Sequence, residues 1–78
     1  MKIEVFGTGC AKCDQAEHMI RKLVEQTGST AKVEKISDLK QMLAKGVMST
    51  PAVAVDGEIK VKGRLPNQEE ILAWLRTE

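Results

Sequence analysis

Tyrosine is absent from this 78-residue chain, and Phe6 and Trp74 are its only aromatic residues. That excludes the stacking platform on which single-strand nucleic-acid binders lay bases. Charge of one sign is missing too: twelve Lys and Arg stand against eleven Asp and Glu, for a net charge of +1. No general field therefore attracts phosphate backbones or anionic membranes. No apolar run approaches the ~20 residues of a membrane span. Met1-Lys2-Ile3-Glu4 enters a strand pattern directly, without the apolar core of a signal peptide. The chain is read as cytosolic, with neither nucleic acid nor membrane as partner. Good metal donors are few: Cys10, Cys13 and His18 fall short of the four ligands of a closed zinc site, so no metal is expected. In a reducing compartment a structural disulfide is unusual, and two cysteines three positions apart point to redox chemistry or soft-metal binding.

The length lies below the usual ~100–150 residues of a domain, so residues 1–78 are expected to form one domain around one core. Lys2 to Phe6 reads as a strand broken by Gly7-Thr8-Gly9. From Cys13, Ala16, Met19, Ile20, Leu23 and Val24 follow helical spacing, and Thr27-Gly28 supplies a stop. Ala31 to Ile36 alternates as a half-covered strand, completing a βαβ unit. Ser37 is expected to cap a short helix whose buried stripe is Leu39, Met42 and Leu43, ending near Gly46. Ala52 to Val55 is a continuous apolar run suited to a strand covered on both faces. Asp56-Gly57 is a hairpin signal, and Glu58 to Lys62 alternates strictly with lysines outward, as an edge strand does. Asn67 with Glu70 resembles a capping box before a last helix carrying Ile71, Leu72, Trp74 and Leu75. The expected fold class is α/β: βαβ, helix, ββ, helix, assembled into a four-stranded mixed sheet with helices on both faces.

Cys10-Ala11-Lys12-Cys13 falls between the first strand and the first helix. The unpaired amides of a helix N-terminus and the Lys12 cation both favour a thiolate, so Cys10 should ionise below the ordinary ~8.5 of a free cysteine. A fall to about 7 would raise the thiolate fraction at neutral pH about sixteenfold and lower intrinsic nucleophilicity about fivefold, so exchange is still favoured. Cys10 is the expected attacking thiol. Cys13, one helical turn further in and more covered, is the expected resolving thiol. A purely structural bridge over so short a loop would stabilise the fold by only about 2 kcal/mol. His18 points nearly opposite the apolar stripe and reads as solvated surface, as does the Glu17/Arg21 pairing.

The cysteine loop, with Ser49-Thr50-Pro51, the Val55-Asp56-Gly57 turn and Gly63, resembles the thioredoxin and glutaredoxin superfamily over the whole chain. Within it the chain looks most like the small redox-active disulfide proteins, which share a Gly-x-Gly-Cys-x-x-Cys loop. The resemblance implies a minimal thioredoxin-like fold and a protein disulfide oxidoreductase with no cofactor beyond its own redox-active Cys10–Cys13 disulfide. It further implies disulfide-containing protein substrates and a thioredoxin-reductase-like electron donor; a monomer is expected, though no residue speaks to it. It places a cis peptide bond before Pro51, facing the cysteine loop. Thr50 becomes the residue whose backbone pairs with extended substrate, and Gly63 part of the same groove. Glu4, six residues before Cys10, matches the position of a buried acid that moves the proton of the resolving thiol. There are departures: Gly9 stands where thioredoxins carry tryptophan, and Ala11-Lys12 replaces Gly-Pro. Gly63-Arg64-Leu65 lacks the nearby acid with which glutaredoxins hold glutathione, so no glutathione dependence is expected.

Two other functions compete. Heavy-metal-associated domains also place a Cys-x-x-Cys after their first strand, and two thiolates suit Cu(I). Those domains end in a strand, whereas Gln68 to Arg76 reads as a helix. A binding module could also use the groove around Cys10, Pro51 and Gly63 without turnover.

Overall fold

The computed structural model describes residues 1–7 and 11–76. The elements run β1 (Lys2–Phe6), α1 (Ala11–Thr27), β2 (Lys32–Ile36), α2 (Leu39–Ala44), β3 (Ala52–Val55), β4 (Glu58–Lys62) and α3 (Gln68–Leu75). They form the α/β architecture the sequence predicts. One four-stranded mixed sheet has the order β2-β1-β3-β4. β1 and β2 are parallel, which requires a crossover, and α1 supplies it. β1 with β3 and β3 with β4 are antiparallel.

Strand alternation divides the sheet's side chains between two cores. Ile3, Val5, Val53, Val55 and Val61 pack with Ala16, Ile20 and Leu23 of α1 and Ile71 and Leu75 of α3. On the other face Phe6, Ala52 and Ala54 meet Met42 and Val47. β3 is buried along its whole length because both its faces are covered. Full burial of one such aliphatic side chain stabilises by about 1.5–3 kcal/mol, so the α1/α3 face carries most of the apolar stabilisation.

Helix ends follow local chemistry. α1 stops in a Schellman motif: Gly28, at φ +67°, donates to Glu25 O at 3.2 Å, and Ser29 donates to Val24 O at 3.0 Å. α2 ends in the same way, with Gly46 at φ +77°, Val47 donating to Met42 O at 2.8 Å, and those two side chains packed together. α3 begins in a full capping box between Asn67 and Glu70.

Two expectations need correction. Asp38, not Ser37, caps α2: the backbone stays extended through Asp38, whose carboxylate accepts the Lys40 N–H at 2.9 Å. In this six-residue helix only Met42 faces the sheet, and Val47, brought round by the turn, completes its cover. Leu39 and Leu43 point outward and are 63% and 58% exposed. The strict alternation expected of β4 also fails. Val53 pairs with Val61 but Ala54 with Ile59, so a bulge at Lys60 sends Ile59 to the α2 face and leaves Val61 on the other.

Candidate active site

Cys13 sits in the first turn of α1, fully buried and disulfide-bonded. Cys10, the chain's other cysteine and the predicted nucleophile, lies outside the described residues. Gly7, the residue after β1, makes room for Cys13. A Cβ built on Gly7 would stand 2.5 Å from the Cys13 Cβ and run into its Sγ. No side chain larger than hydrogen fits there. The Gly7 N–H donates to Ile36 O at 3.0 Å, which ties the end of β1 to the end of β2 beneath the start of α1.

Strand register brings further predicted residues to this end of the sheet. Phe6 pairs with Ala52, so the next step along the antiparallel ladder sets Gly7 beside Pro51. Ala52 pairs in turn with Lys62, and Gly63 donates its N–H to Pro51 O at 3.0 Å. The Thr50-Pro51 peptide bond is cis, as the family resemblance implies, and the Pro51 ring is buried while Thr50 is exposed. Gly63 adopts φ +72°, and a Cβ on it would lie 3.1 Å from the Ser49 Cβ. Cys13, Gly7, Pro51 and Gly63 thus lie in sequence across the ends of α1, β1, β3 and β4. Lys12 is exposed on the first turn of α1.

Glu4 is buried at 5% exposure, but not with α1. Alternation along β1 places it on the face of Phe6, and its neighbour on β3 is Ala54 of the α2-side core. The Lys45 Nζ at the end of α2 lies 3.9 Å from its Oε1. The sheet therefore separates Glu4 from the apolar stripe of α1. Glu17 does more than pair with Arg21: Lys35 of β2 reaches both Asp14 at 2.8 Å and Glu17 at 3.5 Å, fastening the start of α1 to the sheet. The hydrogen bond to Asp14 raises the Lys35 pKa above its ordinary value against a smaller lowering by burial. His18 is exposed. Among the described residues no three His, Cys, Asp or Glu cluster in a way that could hold a metal ion.

Gly7 and Lys45 are the neighbours that sequence reasoning missed. For Gly7 there was a signal, a glycine directly after a strand and six residues before the second cysteine, but it reads equally well as a simple strand breaker.

A model of the thioredoxin domain family matches residues 1–76. The chain belongs to that family. It is 45% identical over 71 residues to a protein named thioredoxin from Methanothermobacter thermautotrophicus, covering 91% of this chain and 92% of the relative. It is 40% identical over 75 residues to a thioredoxin from Methanocaldococcus jannaschii, covering 96% and 86%. A probable thioredoxin from Methanothermobacter marburgensis is 30% identical over the whole chain and 95% of its own length. Membership in the thioredoxin family carries thiol–disulfide oxidoreductase chemistry in general.

Proposed function

We propose that the protein reduces or exchanges disulfides in protein substrates through a Cys10/Cys13 dithiol–disulfide couple, with no other cofactor. The observation that carries this reading is the placement of Cys13: disulfide-bonded, buried in the first turn of α1 against Gly7, at the sheet end that also holds Pro51 and Gly63. In the forward reaction the Cys10 thiolate attacks one sulfur of the substrate disulfide, giving a mixed disulfide and a substrate thiolate. Cys13, as thiolate, then attacks Cys10 Sγ and releases the second substrate thiolate. The substrate takes up two electrons and, on protonation, two protons; the protein is left as the disulfide. A dithiol reductant of the thioredoxin-reductase type returns those electrons, in a reducing cytosolic compartment. Lys12 and the helix N-terminus favour the attacking thiolate. Thr50 and Gly63 flank the groove that receives the substrate. Glu4, buried on the α2 face of the sheet with Lys45 Nζ 3.9 Å from its carboxylate, is the residue to which we assign proton transfer with the resolving thiol.

The test is a redox titration in dithiothreitol buffers, with free thiols alkylated and counted by intact mass. A two-electron transition with a midpoint between about −280 and −120 mV is expected, the range of thioredoxin-like catalytic couples. Cys13→Ser should then accumulate a mixed disulfide with substrate, and Cys10→Ser should form none. Absence of the transition, or metal retained on both thiols, overturns the reading in favour of soft-metal carriage.

A further inference from the structure

The strongest unexplained feature is apolar. Among the described residues the exposed large hydrophobic side chains are Leu39, Leu43 and Met48, at 63%, 58% and 87% exposure. All three fall within one ten-residue stretch. Leu39 and Leu43 are one turn apart on the outer face of α2. Met48 follows the Gly46 reversal and directly precedes Ser49-Thr50-Pro51. A small fold needs its apolar residues inside, so three left in water on the segment leading into the site mark a contact surface.

Its charged surroundings decide what it contacts. Lys40 lies in the first turn of α2, Lys12 in the first turn of α1, and Lys62 beside Ala52 at the end of β4; each is exposed and pairs with no carboxylate among the described residues. Most acids at the same end are already engaged, exposed Glu69 in the first turn of α3 being the exception. Asp38 caps α2, Asp14 is held by Lys35 at 2.8 Å, Glu4 is buried near Lys45, and Glu70 is held by Arg64 at 2.7 Å. A second copy is a poor occupant, because a two-fold contact would set this patch against itself and bring its lysines together.

We infer that this surface selects disulfide substrates carrying acidic residues around an exposed apolar side chain beside the disulfide. The inference rests on the oxidoreductase reading above and names its substrate class. The apolar side chain covers Leu39, Leu43 and Met48 while the acids meet Lys12, Lys40 and Lys62. Selectivity arises mainly in the encounter rate and falls with salt.

The experiment uses the reduced full-length chain and two synthetic peptides of equal length, each with one internal disulfide and two leucines, one flanked by glutamates and one by lysines. Hydroxyethyl disulfide, small and neutral, supplies the reference rate by which each peptide rate is divided. At about 10 mM salt the glutamate peptide should react about tenfold faster than the lysine peptide, and at about 1 M salt the two should converge. Lys40→Glu/Lys62→Glu should invert the preference. Leu39→Ser/Leu43→Ser should slow both leucine peptides relative to the reference. Equal peptide rates at low salt, or a preference untouched by the lysine reversal, overturns the inference and leaves the oxidoreductase reading standing. So does a wild-type dimer in sedimentation that Leu39→Ser/Leu43→Ser dissolves, because a second copy is then the occupant. Failure to reduce hydroxyethyl disulfide at all overturns the oxidoreductase reading and the selectivity with it.

Discussion

On one face of the sheet Ile3, Val5, Val53, Val55 and Val61 lie beneath two helices, whereas on the other Phe6, Ala52 and Ala54 lie beneath a six-residue helix and the turn after it. Among the described residues the first face has ten buried apolar residues and partly buried neighbours such as Met19, Leu72 and Trp74 around its edge. The second has five, with the carboxylate of Glu4 among them and two leucines of its covering helix turned to water. One sheet supports both because alternation supplies each face separately. The difference divides labour: the α1/α3 face holds the fold, and the α2 face is covered just enough to seat the Ser49-Thr50-Pro51 segment while leaving its outer surface free for contact.

The comparison breaks most visibly in the core. Ile71→Ala on the α3 side should cost about 2–5 kcal/mol by urea unfolding, through lost transfer free energy and the cavity left behind. Met42→Ala should fall at the low end of that range, since its neighbours Ala52 and Ala54 are small and the short helix above can settle. Leu43→Ser should stay within about 0.5 kcal/mol, as exposed substitutions do. A loss at Leu43 equal to that at Ile71 would mean that α2 is packed more tightly in solution than its exposure allows.

Gly7 comes next. Its φ is not left-handed, so Gly7→Ala acts through space alone: the new methyl meets Cys13, and overpacking of this kind costs about 1–3 kcal/mol. Gly28→Ala supplies the contrast. There the backbone is left-handed at φ +67° with open space around it, so the cost is about 1–2 kcal/mol of backbone strain. Gly7→Ala should also move the dithiothreitol midpoint, because it displaces a reacting sulfur. Gly28→Ala, at the far end of α1, should not. Equal midpoints in the two variants would reduce Gly7 to a packing residue.

Most of the fold could be read before any coordinates because its signals are local. β1 and β3 fall on the predicted residues, and Asp56 and Gly57 adopt the positive φ of 50° and 84° that an Asp-Gly hairpin turn requires. Asn67 and Glu70 form their capping box. The failures share a cause: each depends on a partner distant in sequence. Ile59 and Val61 look like one face of a strand, and only the register against β3 reveals the bulge that separates them. Leu39, Met42 and Leu43 share a helical stripe, yet only the narrow seat made by Phe6, Ala52 and Ala54 decides that Met42 alone is covered. Within the site, the cis bond before Pro51 came from family resemblance and not from the residues themselves, and the role of Gly7 appears only once Cys13 is in place. Glu4 was read by its distance along the chain from Cys10, and its burial on the face of Phe6 beside Lys45 became visible only in the fold.

The smallest expected effect compares how the helices on the two faces are started. α2 has one side-chain cap, from Asp38, whereas α3 has the reciprocal Asn67 and Glu70 box reinforced by Arg64, whose Nη1 and Nη2 donate to the two Glu70 oxygens at 2.7 Å each. Asn67→Ala should cost about 1 kcal/mol at neutral pH. The hydrogen bonds from Arg64 first, and from the Asn67 backbone second, lower the Glu70 pKa from 4.5 to about 2. A carboxyl held below its unfolded value binds fewer protons in the native state than in the unfolded one, so its contribution is complete above about pH 4.5 and is lost as pH falls towards 2. Urea midpoints of the wild type should therefore fall more steeply between those two values than midpoints of Glu70→Gln, which is less stable at neutral pH and converges on the wild type in acid. Because the pair stands at the surface, added salt should shrink this difference. Parallel acid profiles would show that Arg64 and Glu70 do not hold their bond in solution, and that α3 starts, like α2, on a single cap.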